Sequence, residues 1–342
     1  MNDKKTLIGK TFPELKELTS ALGMPAFTAK QISDWLYRKN INSIDEMTNL
    51  SQSNREKLKE HCCLGKTPFI KKQSSNDGTI KYLFPTGNNH FIETVYIPDK
   101  ERATLCVSSQ IGCKMNCLFC MTGKQGFSGQ LSSAEILNQI LNIPESANIT
   151  NIVFMGMGEP MDNVDELFKV LDILTSDYGL AWSPKRITVS TIGLIPGLKR
   201  FLDESKCHLA ISIHSPYHEE RLDLMPVEKP YPIKEVVDLI KQYDFTHQRR
   251  VSFEYIMFGD LNDDISHASA LHKLLSGIEC RVNLIRYHQI PGINLPSSQS
   301  EHMTAFRDYL SSKGIICTIR ASRGEDILAA CGMLSTKESS DS

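Results

Sequence analysis

The sequence predicts an α/β protein: an incomplete, TIM-like (β/α) barrel of parallel strands with a small helical domain ahead of it. Three observations lead there. Between residues 151 and 319 six strand-like runs alternate with helix-like stretches, and repeated βα units imply a parallel sheet, here of a size that suits part of a barrel. Before residue 64 the pattern is helical, with a capping residue ahead of each of three stretches. Polar or glycine-rich residues follow every strand-like run of the barrel, where such folds gather their chemistry.

Composition sets the outer limits. A chain of 342 residues with 41% hydrophobic residues can bury a sizeable core, as one large domain or one large and one small. A net charge of -2 gives no bulk attraction for nucleic acid, so any such contact must come from local basic patches. The start, MNDKKTLIGKTF, lacks the apolar stretch of a signal peptide, and no run reaches membrane-spanning length. A reduced, cytoplasmic protein is expected, in which ten cysteines point to metal or redox chemistry.

Taken in order, the helical start runs from Lys4 to about Cys63. Thr11 is placed to cap FPELKELTSALG, Thr28 to cap AKQISDWLYRK, and Ser51 to cap a helix through Lys59. Ile32, Trp35 and Leu36 have the i, i+3, i+4 spacing of a buried face. Lys30, Arg38, Lys39, Arg55, Lys57 and Lys59 could touch phosphate, although helix charges usually mark a solvated face. From about Lys66 alternation takes over: TIKYLFPT, HFIETVYIP and RATLCVSSQ read as strands, with turns at Asn-Asp-Gly, Gly-Asn-Asn and Pro-Asp-Lys. The barrel strands follow at residues 151–156, 186–191, 208–213, 250–257, 281–286 and 314–319. The expected divisions are a helical domain over 1–64, a β-rich extension over 65–100, the partial barrel over 101–334 and a flexible tail over 335–342.

Where the extension meets the barrel lies SSQIGCKMNCLFCMTGKQGF, which spaces Cys113, Cys117 and Cys120 as Cys-x3-Cys-x2-Cys. Three thiolates can neither complete a tetrahedral zinc site nor fill every corner of a 4Fe-4S cubane. No second Cys-x2-Cys pair follows, and no His falls between Cys106 and Cys207 to finish a zinc site. A cluster with one open iron is the better match. S-adenosylmethionine can chelate such an iron through its adjacent amine and carboxylate, and electron transfer to its sulfonium then yields a deoxyadenosyl radical.

Other candidates stand at strand ends. In MGMGEP, residues 155–160, Gly158 allows close backbone approach and Glu159 can accept hydrogen bonds from the methionyl ammonium group. Ser190, then Ser212, Ile213 and His214, end the next two strands and could reach a ribose or carboxylate. Cys331, in an Ala-Ala-Cys-Gly setting, and Cys106 are by default inert buried thiols. If the tail returns to the barrel mouth, the two could instead form a transient disulfide. Glu93 reads either as the polar face of a strand or as a base for proton removal. Arg249 with Arg250, and Arg320 with Arg323, suit phosphate recognition better than Lys would.

Together ATLCVSSQIGCKMNCLFC, FMGMGEP, ITVSTIGLIPGL, SIHSPYHEERLDLMP, RVNLIRYH and IRASRGEDILAACGML resemble the RlmN/Cfr family of radical S-adenosylmethionine RNA methyltransferases over nearly the whole chain, most closely its RlmN branch. The resemblance implies a barrel of the radical SAM type, an RNA-contacting helical domain, and methylation at C2 of adenosine in 23S ribosomal RNA and in transfer RNA next to the anticodon. It implies two molecules of S-adenosylmethionine per turnover. One methylates Cys331; the other, cleaved at the cluster, gives the radical that activates that methyl group for addition to the base. Glu93 then removes the C2 proton, and Cys106 attacks the Cys331 sulfur to free the product. Cofactor contacts carry over to Gly158, Glu159, Ser190, Ser212, Ile213 and His214, and with less support to His288 in VNLIRYH, where many relatives have Asn. A Cfr-like C8 methyltransferase is the alternative, because Ser-Pro-Tyr after His214 and Leu-Ile-Arg-Tyr are shared by both branches. The partners implied are the two RNAs and a reductant such as flavodoxin or ferredoxin, with no membrane and a monomeric enzyme.

Overall fold

The computed structural model describes residues 4–245 and 250–336, and one ten-stranded sheet runs through it. Its strands are β1 (Lys71–Ser74), β2 (Ile80–Pro85), β3 (Phe91–Asp99), β4 (Arg102–Cys106), β5 (Asn151–Phe154), β6 (Ile187–Thr191), β7 (His208–Ser212), β8 (Val251–Met257), β9 (Cys280–Arg286) and β10 (Ile316–Ile319). Order in the sheet equals order in the chain. Strands β1 to β4 pair antiparallel through tight turns, and β4 to β10 pair parallel. Parallel neighbours need crossovers. Helices α4 (Ser133–Leu141), α5 (Val164–Thr175), α6 (Ile195–Glu204), α7 (Ile233–Ile240), α8 (Ile265–Leu275) and α9 (Ser300–Ser312) supply them, preceded by α1 (Phe12–Ala21), α2 (Thr28–Ser33) and α3 (Gln52–His61) in the N-terminal domain.

Register decides what the barrel encloses. Ser190 pairs with Ala210, Ser212 with Glu254, Glu254 with Asn283 and Asn283 with Thr318. Alternation along each strand puts Ile256, Ile285 and Arg320 on that same inner face. The opposite face, with Val189, Ile211, Phe253, Val282 and Leu284, is buried in the main hydrophobic core. A closed barrel of this class fills its inside with branched aliphatics. Here Ser, Thr, Asn, Glu and Arg stand there instead, and space is left for ligands.

The barrel is not closed by strand pairing, since β10 and β4 are not neighbours in the sheet. The segment after β10 covers the gap. Gly324 donates its amide to Asp77 at 3.0 Å, Ser75 and Asn76 donate to Asp326 at 2.5 and 3.2 Å, and Lys81 Nζ lies 3.4 Å from the Leu328 carbonyl.

The helical start follows expectation at two of its three caps. The Glu14 carboxylate accepts the Thr11 amide at 2.7 Å, and Ser51 Oγ accepts the amide of Asn54 at 3.2 Å. Thr28 is not a cap: Phe27 holds that position, and the buried Thr28 hydroxyl has no hydrogen-bond partner among the described residues. After α2 the helix widens into a π-turn over Asp34–Arg38, a local insertion that a simple 3.6 period does not reveal. It turns Tyr37 into the core, where its hydroxyl donates to the Lys10 carbonyl at 2.7 Å. Two further features escape periodicity because they are too short to show it. Lys5–Thr6 pairs in parallel with Cys62–Cys63, and Gln110–Gly112 pairs antiparallel with Phe127–Gln130. RATLCVSSQ is therefore split, with β4 ending at Cys106.

The domain is fixed to the outer helices. Phe12 stacks on Tyr178 with ring centres 5.5 Å apart, Ser33 Oγ donates to the Tyr178 carbonyl at 3.0 Å, and Asn138 of α4 donates to the Gly65 carbonyl at 2.7 Å. Among the described residues no helix is long and apolar enough to cross a membrane.

Candidate active site

The cysteine loop is shaped by its backbone before any ligand is considered. Cys113 donates its amide to the Gly126 carbonyl at 2.9 Å. At Gly112, φ is +74° and a Cβ would lie 1.8 Å from that same carbonyl, so only glycine fits. Leu118 donates to the Leu224 carbonyl and Met121 to the Gly332 carbonyl, which ties the loop to the barrel rim and to the C-terminal segment. Cys113, Cys117 and Cys120 then line one cavity of about 150 Å³ at the carboxyl ends of the strands. Burial pushes the Cys113 thiol up to about 12 and Cys117 well above its ordinary value, each thiol opposing ionisation of the next.

Gly158, Glu159, Ser190, Ser212 and His214 share that cavity. Gly158, at φ +98°, lies so close to Gln110 that a Cβ would stand 2.5 Å from the glutamine Cβ. Glu159 is buried, and its carboxylate accepts the amides of Met161 and Ile192, each at 3.0 Å. Burial raises its pKa to about 7 against those hydrogen bonds. His214 has φ +59°. Its Nδ1 accepts the Ile256 amide at 3.0 Å, so the ring proton sits on Nε2, and burial together with Arg221 holds its pKa down to about 3. The ring is thus a neutral donor. Among the described residues the hydroxyls of Ser190 and Ser212 have no protein partner.

Cys331 faces the same cavity and also two others, one of which it shares with Cys106. The C-terminal segment does return to the barrel mouth. Burial, and secondarily the Cys331 thiol, pushes Cys106 up to about 12, with Arg320 pulling the other way. Arg320 lines all three cavities, and its pKa is raised, by Cys331 first and then by Glu254 and Cys106, against the cost of burial. Glu254 Oε2 lies 3.7 Å from Arg320 and is buried without a hydrogen bond, while Oε1 accepts from Asn283 and Ser252 at 2.8 and 3.1 Å.

Besides Cys106, three expected site residues lie away from the cavity of the loop cysteines. Glu93 is buried beside Lys81 Nζ at 3.0 Å and accepts the Ser335 amide at 2.9 Å. Ile213 is fully buried and has only its backbone near the site. His288 opens into the neighbouring cavity, with Nε2 3.0 Å from Ser322 Oγ. Arg249 lies outside the described residues, as does the tail beyond Thr336.

Sequence reasoning missed Arg221 and Glu254. Arg221 is fully buried, ion-paired with Glu228, and donates to the carbonyls of Ile213 at 3.0 Å, Ile192 at 2.8 Å and Ser212 at 3.2 Å. It fixes two strand ends at once. Its signal was an Arg inside SIHSPYHEERLDLMP, which periodicity counts as a surface charge. Glu254 lies at the centre of the apolar run VSFEYIM, where a single acid is costly unless paired.

The donor set fits a 4Fe-4S cluster. Among the described residues no three metal-ligating side chains surround one ion-sized point, and a cubane needs none, since each thiolate takes a different iron. The glycine approach at Gly158, the acceptor Glu159 and the unpartnered serines fit a bound S-adenosylmethionine beside it.

Comparison with known proteins agrees with this geometry. Residues 107–270 match the Radical SAM superfamily, and residues 5–64 match the ribosomal RNA large subunit methyltransferase N-terminal domain. A probable dual-specificity RNA methyltransferase RlmN of Parabacteroides distasonis is 64% identical, covering 98% of each chain. The dual-specificity RNA methyltransferase RlmN of Syntrophus aciditrophicus is 41% identical over 95% of this chain and 94% of its own. The crystal structure of a radical SAM methyltransferase from Sphaerobacter thermophilus superposes with a TM-score of 0.90 at 37% identity, covering 96% of this chain and 99% of that one.

Proposed function

The chain belongs to the RlmN family of radical S-adenosylmethionine RNA methyltransferases, and from that premise we propose that it methylates C2 of adenosine in 23S ribosomal RNA and in transfer RNA next to the anticodon. The observation that carries this reading is the placement of Cys331, which shares one cavity with the three loop cysteines and another with Cys106. A thiol so placed can take a methyl group from one side and be attacked by a second thiol on the other.

Cys113, Cys117 and Cys120 would hold the cluster, and Glu159, Ser190, Ser212 and His214 would orient S-adenosylmethionine. When bound, the pair supplies a one-electron cleavage that generates the hydrogen-abstracting radical. Each turnover takes two molecules of S-adenosylmethionine, the first to methylate Cys331. The residues of the chain perform the rest. Cys331 Sγ presents the methyl carbon to C2 of the base. Once the adduct has given up one electron, Glu93 accepts the C2 proton, which requires the base to reach it past the Ser335 contact. Cys106 then gives up its thiol proton and attacks Cys331 Sγ; the sulfur–carbon bond breaks with its electron pair passing into the base, the freed methylene carbon takes up a proton to become the methyl group, and a Cys106–Cys331 disulfide remains for external reduction. Arg320 lowers the cost of ionising Cys106. We take flavodoxin or ferredoxin as the electron source, the cytoplasm as the place of action and a monomer as the working form.

The test is Cys106→Ala. Without its resolving thiol the enzyme should stop with RNA bound to Cys331, visible as a protein–RNA adduct on a denaturing gel and lost in the Cys106→Ala, Cys331→Ala double variant. Normal turnover by Cys106→Ala with no adduct would contradict the proposed route.

A further inference from the structure

Cys331 has a second side. Where β4 and β10 fail to pair, a cavity of about 290 Å³ opens along the seam, at the lower end of the roughly 300–1,000 Å³ of ligand pockets. Its upper end reaches Cys331 and Arg320, and its lower end Asp99, Arg102 and Arg323. None of the loop cysteines, nor Gly158, Glu159, Ser190, Ser212 or His214, lines it. The cofactor residues and this space meet only around Cys331, Arg320 and Ile285.

Charge at the lower end is unbalanced. Arg323 spans the seam to Asp99 at 3.3 Å. Arg102 begins β4 directly opposite Asp99 in the β3–β4 pair, is exposed, and has no ion pair among the described residues. Two guanidinium groups therefore flank one carboxylate at the mouth of a cavity that ends on a reactive thiol. Further in, His288 and the Ser322 hydroxyl offer a hydrogen-bonding pair 3.0 Å apart, and burial keeps His288 towards its neutral form. A planar, forked donor suits a phosphodiester, and a neutral imidazole with a hydroxyl suits a ribose or base edge.

We propose that the lower end of this seam cavity is a phosphodiester-binding subsite, in which Arg102 and Arg323 hold the RNA backbone beside the target nucleotide and Asp99 takes the phosphate's place on Arg323 when RNA is absent. The assignment rests on the RNA-methyltransferase reading. It gives His288 a role on the substrate side and accounts for an ion pair across the seam. The RNA phosphate must displace the Asp99 carboxylate, so the pair acts as a competitor to binding.

The experiment measures binding of a transfer RNA transcript to the anaerobic, cluster-loaded enzyme across a salt series, with iron content as the control for folding. Arg102→Gln with Arg323→Gln should weaken binding about tenfold and lower the salt slope by about 0.7 to 0.9 for each guanidinium lost. Asp99→Asn should do the opposite and tighten binding several-fold, a change that no loss of folding can produce. Unchanged affinity and slope in the double arginine variant would overturn the subsite, as would weaker binding by Asp99→Asn. Inorganic phosphate that failed to compete with RNA but still protected Arg323 from guanidine-directed modification would assign the pair to a free anion and overturn the RNA assignment. A wild-type enzyme that binds RNA while the double arginine variant matches it defeats the subsite alone. A wild-type enzyme that neither binds nor methylates RNA defeats the underlying reading as well.

Discussion

On the proposed function, a single side chain, Glu159, sets the conditions under which S-adenosylmethionine binds. Buried and with a pKa near 7 in the ligand-free protein, it must be ionised to accept hydrogen bonds from an amine. Its folded value lies above the ordinary 4.5, so its contribution to folding is most favourable below that pH and is lost as the pH rises through about 7. Cofactor affinity runs the other way. Binding of S-adenosylmethionine to the cluster-loaded enzyme should strengthen by up to about tenfold from pH 6 to pH 8, and Glu159→Gln should be weaker and nearly flat over that range. Equilibrium binding at several pH values checks this; a flat wild-type profile would place the proton elsewhere. Cys106 is shifted in the same direction but further, to about 12, so at neutral pH it stands as a thiol, and the proposed attack on Cys331 requires it to lose its proton in that step. Spacing and resemblance singled out the three loop cysteines and the pair Cys106 and Cys331 as candidates, and the fold brings Cys331 into one cavity with the former and another with Cys106. Glu93 was readable as a candidate, but its pairing with Lys81 was not, because the partner lies on another strand of the sheet.

At the scale of elements, the strand ends matter more than the strands. Residues after β6 and β7 reach the cavity because Arg221 gathers their carbonyls while Glu228 neutralises it. Removing one partner of a buried pair leaves an uncompensated charge. Arg221→Ala should therefore destabilise the protein by about 3–5 kcal/mol, whereas Arg221→Met with Glu228→Leu should recover most of that loss. Anaerobic denaturant melts of the three proteins measure it, and a wild-type midpoint for Arg221→Ala would refute the role. The double variant should still lose cofactor binding, since nothing then aligns the carbonyls of Ile192 and Ile213. Alternation and capping made most strands and two of the three N-terminal caps legible. They missed the π-turn after α2 and two short pairings, one in the N-terminal domain and one flanking the cysteine loop, where two to four residues carry no period.

Over the whole molecule, an open barrel with a polar lining lets two cavities meet at one thiol. The βα alternation revealed the barrel, and seven parallel strands appear where the sequence reading placed six βα strands, the seventh being Arg102–Cys106 of RATLCVSSQ just ahead of them. The seam was not legible. It depends on how the segment after β10 folds back onto Ser75, Asp77 and Lys81, contacts separated by some 250 residues that no local pattern encodes. For the same reason no local pattern shows that His288, a cofactor contact by resemblance, lines the seam cavity. The most direct test of the account is nucleoside mass spectrometry of separated ribosomal and transfer RNA from cells with and without the intact gene. The account predicts that 2-methyladenosine disappears from both pools when the gene is lost. Disappearance of 8-methyladenosine with 2-methyladenosine intact, or no change in either pool, would contradict it.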